Sequence, residues 1–558
     1  MSQMMHIVRK DVRRLRWLLA LGLVVLITRV ALVVNGASAA DESVATGLLL
    51  QQVWETMAII ELLLMAAIVA QLVLEEPLVG LTPFWLTRPY ATRSLLAEKL
   101  LFAVIALVVL PSIADAVTMS LFHVGPRAIV SACAAAVLGY ASWMLSLMVV
   151  AALTPSLGAF VLTTLGVAAV SSLLPSVLFG FRGIWTAPMP GYTPPSAPDA
   201  TPFVVFMAVY LGAALSVVIY QYRHRRWRVA AALAVAGIAV TVVVPAIWPW
   251  SFARGEQVRP GEWASNVVVA YDPSWGTKAS DVTNVSRQTG ERWRQVSARL
   301  VVSGLPPQMM VRSVGIRSKA QMPDSAVLES GQMGPYGYQF TLPAAQAALK
   351  ARILATRDFE EQPRWSPVLT IREQAFVRHR GKSGRLDSDI DVWVSEVREV
   401  GALPLTSGAS LDRGVSRIDI AAVQRGIDSR DVVIRRWGAR SPMSVEPAGE
   451  RYFALRNRSI GQALMAGIAN SWQVGERPNA AFRLVALPFA FFRSPIYRSG
   501  DGFSVGTQYL RFPGRGYGTD PNLNIAAFED AELVVLEVVP AGVVTRRLTI
   551  DPFLIPST

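Results

Sequence analysis

Four ionisable residues interrupt apolar runs of this sequence: Arg29, Glu55, Glu61 and Asp115. A charge held among hydrocarbon is costly, so such residues pair with one another, line a watery path or relay protons. Counted from the ends of their runs, Arg29, Glu55 and Asp115 share one depth toward the outer side and can form an ionic cluster, with Glu61 one to two helical turns deeper. We expect these groups to line or gate a path through the membrane. The plainer alternative is a structural ion pair, or an arginine reaching outward to the interface. Glu61 taken alone would suit a proton-coupled carrier.

Other chemistry has little support. The only fragment near the phosphate-binding pattern G-x-x-x-x-G-K-[ST] is Gly381–Ser383, and Phe376 stands where the first glycine belongs. His6, His123, His224 and His379 are widely separated and lack zinc-site spacing. Cys133 is the only cysteine, which excludes a disulfide framework and a Cys-x-x-Cys redox pair. The one G-x-S-x-G match, Gly502–Gly506, lies in an alternating stretch without the strand-to-helix turn that a nucleophile elbow needs. The expectation is a non-enzyme that binds no cofactor or metal directly.

The elements that must position these charges are apolar. Of 558 residues 52% are hydrophobic and the formal charge is +13, but the long apolar runs lie in roughly the first 250. Seven runs are long enough to cross a bilayer: Trp17–Val34, Leu48–Leu74, Leu100–Leu121, Ala128–Leu153, Leu157–Phe181, Phe203–Tyr220 and Val229–Trp248. Basic residues cluster on alternate connections. Arg9, Lys10, Arg13, Arg14, Arg16, Arg88, Arg93, Lys99, Arg223, Arg225, Arg226 and Arg228 fall on one side, and only Arg127 and Arg182 on the other. The positive-inside rule then makes the N-terminus cytoplasmic and the region after Trp250 extracytoplasmic. The basic start, apolar run and "GASAADES" also resemble a cleavable secretory signal, but the run exceeds the usual signal length and a retained span is expected. Residues 1–16 suit a basic amphipathic helix on the inner face, with Ile7, Val12, Leu15 and Trp17 toward lipid.

Between the second and third runs the chain carries "FWLTRPYATRSLLAEK", Phe84–Lys99, within a connection far longer than two spans require. Pro83 and Pro89 break it, and the residues after Pro89 lead as a helix into the third span. An exposed Trp beside Arg is the chemistry of a protein contact, or of anchoring at lipid headgroups.

Together with the N-terminal "IVRKDVRRLRW" and a six-span core, "FWLTRPYATRSLLAEKLLF" resembles the ABC-2 family of ABC-transporter permeases over about residues 1–222. The resemblance implies a cytoplasmic ATPase subunit that carries ATP and Mg, a homodimer or a heterodimer with a second permease, and contact with the ATPase through Phe84, Trp85, Thr87, Arg88, Pro89, Arg93 and Lys99. The seventh run, after "QYRHRRWR", departs from the six-span pattern.

From residue 251 onward the texture is short alternating strands. "VSARLVVSG" puts Val296, Ala298, Leu300 and Val302 on one face, and "DIDVWVSEV" does the same with Ile390, Val392 and Val394. Further strands are expected at "SRIDIAAV", "RDVVIRRW", "AFRLVALPFAF", "ELVVLEVV" and "GVVTRRLTI", and short helices at Pro343–Leu354 and Ile460–Trp472. Arg435, Arg436, Arg546 and Arg547 suit solvated strand positions, with an acidic partner or lipid headgroups as the alternative. Nucleic acid is not expected as a partner.

The expected fold is an α-helical polytopic membrane domain, a six-span ABC-2-like core (17–222) plus a linker and seventh span (223–250). A β-rich extracytoplasmic region of one or two antiparallel sandwiches follows, divided as 251–400 and 401–558. The expected role is the permease subunit of an ATP-driven exporter in a bacterial cytoplasmic (inner) membrane, its external domain open to an envelope partner. A membrane-anchored binding or assembly protein is the alternative.

Overall fold

The computed structural model describes residues 3–39, 44–74, 92–167, 200–247, 260–282, 292–337, 342–354, 365–413, 416–426, 429–440, 450–474, 502–513 and 523–557. The first half is helical: α1 Gln3–Ala39, α2 Val44–Leu74, α3 Thr92–Val104, α4 Leu110–Leu121, α5 Pro126–Leu153, α6 Leu157–Val167, α7 Ala200–His224 and α8 Trp227–Ile247. Among the described residues three segments, Arg9–Asn35, Ser94–Leu121 and Pro126–Leu153, are long and apolar enough to cross a membrane; Ile59–Leu74, Leu157–Val167 and Trp227–Val240 are shorter apolar helices. Large apolar side chains on the outside of the bundle, among them Leu23, Val24, Ile27, Leu63, Leu162, Leu165 and Val235, are exposed. An apolar sleeve of this kind suits lipid and would be costly in water.

α3 and α4 form one rod joined by a π-helical turn, Ile105–Val109. Pro111 explains the turn: in a regular α-helix its ring would collide with the carbonyl four residues earlier, and the wider π turn relieves this. The Leu110 N–H accordingly bonds five residues back, to the Ile105 carbonyl. α4 ends at Phe122, whose N–H reaches the Thr118 and Met119 carbonyls, and His123 takes a left-handed conformation before Pro126 opens α5. Leu15, Ile68, Leu72, Phe102, Tyr140, Met144, Met148, Phe160 and Val218 form the bundle core.

The expected surface helix at residues 1–16 is corrected. α1 runs unbroken through Trp17, and Asp11 and Leu15 are buried against the bundle while Trp17 is 74% exposed. The inward face of this segment is set by Asp11 and Leu15, four residues apart, and lipid is left to Val12 and Trp17.

The second half is β-rich. A four-stranded sheet holds β1 Val268–Tyr271, β2 Thr277–Asp281, β3 Trp293–Ser303 and β7 Trp365–Arg372. A seven-stranded sheet runs β5 Val327–Gly337, β4 Met309–Gln321, β8 Ser383–Pro404, β16 Glu532–Leu554, β12 Glu450–Asn457, β13 Gln462–Met465 and β6 Arg352–Ile353. A five-stranded sheet runs β14 Gly467–Val474, β15 Gly502–Phe512, β11 Arg430–Arg440, β10 Ser416–Arg425 and β9 Ser410–Asp412. Val296, Ala298 and Leu300 of β3 meet Ile390, Val392 and Val394 of β8 in one core, as their alternation predicts. Ile418, Val432, Phe453, Leu510, Phe512 and Leu533 form a second core between the other two sheets. Two helices complete this part, α9 Leu342–Leu349 on the seven-stranded sheet and α10 Glu373–His379 after β7.

Three expectations change here. "ELVVLEVV" and "GVVTRRLTI" are one strand, β16, because a register shift between Pro540 and Gly542 absorbs the break. Ile460–Trp472 is a turn followed by β13 and β14: Gly461 has φ 64°, and pairing with β12 and β15 overrides the helical preference of Ala, Leu and Met. The division at 400/401 cuts β8 four residues before its end. The chain does pass to the second core after Pro404, but β16 lies along β8 from Pro404 back to Ser383 and serves both cores. The expected strand at "AFRLVALPFAF" lies outside the described residues.

The two halves meet through the five-stranded sheet. Trp437 of β11 and Tyr509 of β15 pack with Val33 of α1, Met119 of α4, and Val124, Ala128 and Ala132 at the α4–α5 hairpin. The β region therefore sits on the helix ends opposite the arginine-rich start of α1.

Candidate functional site: two buried ionic centres

At the basic end, α1 exposes Arg9, Lys10, Arg13, Arg14 and Arg16 and turns Asp11 inward. Lys99 of α3 meets it: Nζ lies 3.6 Å from Asp11 Oδ2, with the two side chains 0% and 2% exposed. The same ammonium donates to the Leu72 carbonyl at 2.8 Å. That carbonyl is in the last turn of α2, where a helix leaves carbonyls unpaired and its dipole favours a cation. One lysine thus joins three helices. Glu98 and Gln221 are also fully buried.

About 27 Å along α1, eighteen residues on, a second centre forms around Arg29. Its Nη1 donates to Glu61 Oε2 of α2 at 2.8 Å and to Tyr140 Oη of α5 at 3.0 Å, and its Nη2 to Asp115 Oδ1 of α4 at 2.5 Å. Tyr140 Oη in turn donates to Asp115 Oδ2 at 3.2 Å. Arg29 is 7% exposed, Glu61 16% and Asp115 24%. Glu61 Oε1 is buried with no hydrogen-bond partner among the described residues. Two carboxylates therefore share one guanidinium, and among the described residues only Asp115 has a second donor.

Arg29, Glu61 and Asp115 come together. Glu61, expected one to two turns deeper, lies beside Arg29 together with Asp115; Glu55 belongs to α2, and its side chain lies outside the described residues. Phe84, Trp85, Thr87, Arg88 and Pro89 also lie outside them, as does the side chain of Arg93 in the first turn of α3. Lys99 is corrected: its charge is enclosed between Asp11 and Leu72, so it presents nothing to a partner subunit. Sequence reasoning missed Asp11 and Tyr140. Asp11 had a signal, as the one acid in a basic segment and four residues before a leucine on the inward stripe; Tyr140 had none.

The β region holds a third ionic group, structural in character. Arg456 donates to both Glu399 oxygens at 2.7 Å, to Glu532 Oε1 at 2.6 Å and to the Leu349 carbonyl at 2.9 Å, tying β12 to β8, β16 and α9. Burial raises the pKa of Glu532, but hydrogen bonds from Arg458 and Arg456 outweigh it and hold the carboxyl below its usual range. The Gly381–Lys382 turn is no phosphate loop: the Gly381 N–H bonds the Ile555 carbonyl, and the Ile555 N–H bonds that of Lys382.

What the helical part offers is therefore mechanical and electrostatic: one enclosed tie joining α1, α2 and α3, and one more open tie joining α1, α2, α4 and α5 in which two acids meet one arginine. No family model matches the sequence, no curated protein is significantly similar to it, and no solved structure matches its fold.

Proposed function

We propose that the chain is the membrane-spanning permease subunit of an ATP-driven exporter, powered by a separate cytoplasmic ATPase that binds ATP and Mg. In this reading residues 17–222 form a six-span ABC-2-like core and α8 a seventh crossing. The arginine-rich end faces the cytoplasm of a bacterial inner membrane, the β region lies outside, and the permease works as a dimer. The observation that carries the reading is the Lys99 tie. The connection from Glu75 to Pro89 leaves α2 just after Leu72 and enters α3 just before Lys99, so a push on it reaches α1, α2 and α3 together. A subunit driven from the cytoplasm needs such a joint.

A second reading, a membrane-anchored assembly or binding protein, draws on the seating of Trp437 and Tyr509 on the helix ends. A pull-down from mild detergent separates the two. The exporter predicts an ATPase that co-purifies with wild type and is lost from a Trp85→Ala/Arg88→Ala double variant. Absence of any ATPase from wild type would favour the anchored protein, and its retention by the variant would keep the exporter and remove those contact residues.

A further inference from the structure

The outer centre is asymmetric in a way that assigns its members different tasks. Among the described residues Glu61 has Arg29 alone: its second oxygen is buried without a partner there, and Met57, Leu64 and Met65, its neighbours on the same helix face, are apolar. Losing Arg29 would leave a bare carboxylate among hydrocarbon. Asp115 is more exposed and keeps the Tyr140 hydroxyl when Arg29 departs. One acid cannot release the arginine, and the other can.

The backbone divides the same way. Asp115 lies one turn beyond Pro111 and the π turn Ile105–Val109, the point at which the α3–α4 rod is interrupted. Tyr140, which would stay with it, is on α5, joined to α4 by the tight hairpin at His123. Trp437 and Tyr509 of the β region rest on that hairpin.

We propose that Arg29, Glu61, Asp115 and Tyr140 form a two-acid latch at the β-region end of the bundle. Opening breaks the bonds from Arg29 to Asp115 and Tyr140, leaves Arg29 with Glu61 on the α1–α2 side, and swings the α4–α5 hairpin away at the π turn. The surplus carboxylate makes the exchange feasible, since Arg29 is never without a counter-charge. The hairpin carries the β region with it, so whatever binds that region acts directly on the latch. The inference deepens the exporter reading by naming its outer gate.

Cys133, the only cysteine, reports the opening without engineering. It is half-buried on α5, in the cluster where Val33 of α1 meets Met119, Ala128 and Ala132 of the hairpin. The experiment measures the rate at which a maleimide labels Cys133 in the purified full chain in nanodiscs, with no ATPase present. Failure of the pull-down and failure of this test are thereby distinguishable.

Asp115→Asn is expected to speed labelling about tenfold, a typical coupling between two states, and Glu61→Gln to leave it as slow as in wild type or slower. Both variants are expected to elute as folded protein in gel filtration. A static brace predicts that the two neutralisations act in the same direction. Equal acceleration, no acceleration by Asp115→Asn, or collapse of either variant would overturn the latch.

Discussion

The two ionic centres of the helical bundle sit on the same helix and follow different rules. At the basic end one lysine meets one aspartate, both sealed from solvent, and the leftover donor goes to a helix-end carbonyl. At the other end one arginine serves two acids that are partly open, with a tyrosine as a second donor to one of them. The enclosed pair lies out of reach of solvent, with the buried Glu98 beside it in sequence, and parting it leaves Asp11 among apolar side chains. The more open centre has an alternative pairing in hand, so its helices can part. The comparison teaches that enclosure, more than distance, separates a brace from a latch.

The sharpest way to break the comparison is Lys99→Met. It leaves Asp11 buried without a counter-charge, and the expected loss is about 3–5 kcal/mol, measured as the unfolding midpoint in detergent. Adding Asp11→Leu should recover most of it, because an apolar pair of similar volume replaces the ion pair at little cost. Arg29→Gln should cost less, about 2 kcal/mol, because its two acids are less enclosed than Asp11 and Asp115 keeps the Tyr140 hydroxyl. If Arg29→Gln proves the more damaging, the assignment of brace and latch is reversed.

Tyr140→Phe sharpens the contrast further, removing one hydroxyl from the outer centre at an expected cost of about 1 kcal/mol. It should also slow opening, since Asp115 would lose the hydroxyl that stays with it when Arg29 departs. The smallest effect belongs to the exposed chemistry of the β region. Glu532 has a depressed folded-state pKa, so its contribution is fully present above the ordinary carboxylate value and is lost as pH falls through the depressed one. Tryptophan fluorescence during acid titration should show the β region weakening below about pH 4.3, and Arg458→Ala should reduce that dependence slightly.

How much of this was legible in the sequence depends on what the residues report. Arg29 and Asp115 stand out because charge within an apolar run has few permitted uses, and their pairing was foreseeable. Placing Glu61 a turn or two deeper than Arg29 was an error of the ruler: depth was counted as though all spans end level. Arg29 is ten residues from the end of α1 and Glu61 seventeen from the start of α2, about 15 Å and 26 Å along their axes. The two helix ends therefore do not align. Lys99 was expected at a subunit contact through the resemblance of its segment, and that segment carries no sign of the buried Asp11 that meets it. Strands with strict alternation, such as β3 and β8, were readable, as was the helical start at Pro343. The continuity of β16 was not, since Pro540 reads locally as a break and only the long partner β8 shows the strand continuing past it.

That long ribbon has a consequence for how the protein is made. The first core includes Leu548, Ile550 and Phe553 of β16, and the second includes Leu533 and Val535 of the same strand. Neither core is complete until the last strand arrives, although β1 to β15 precede it by up to 260 residues. Such distant pairing is slow to form. Nearly the whole β region must therefore emerge and wait, with its strand edges unpaired, before either half can close. This is the interval in which a chaperone on that side of the membrane would be most needed, and in which a truncation within β16 would be felt in both halves at once.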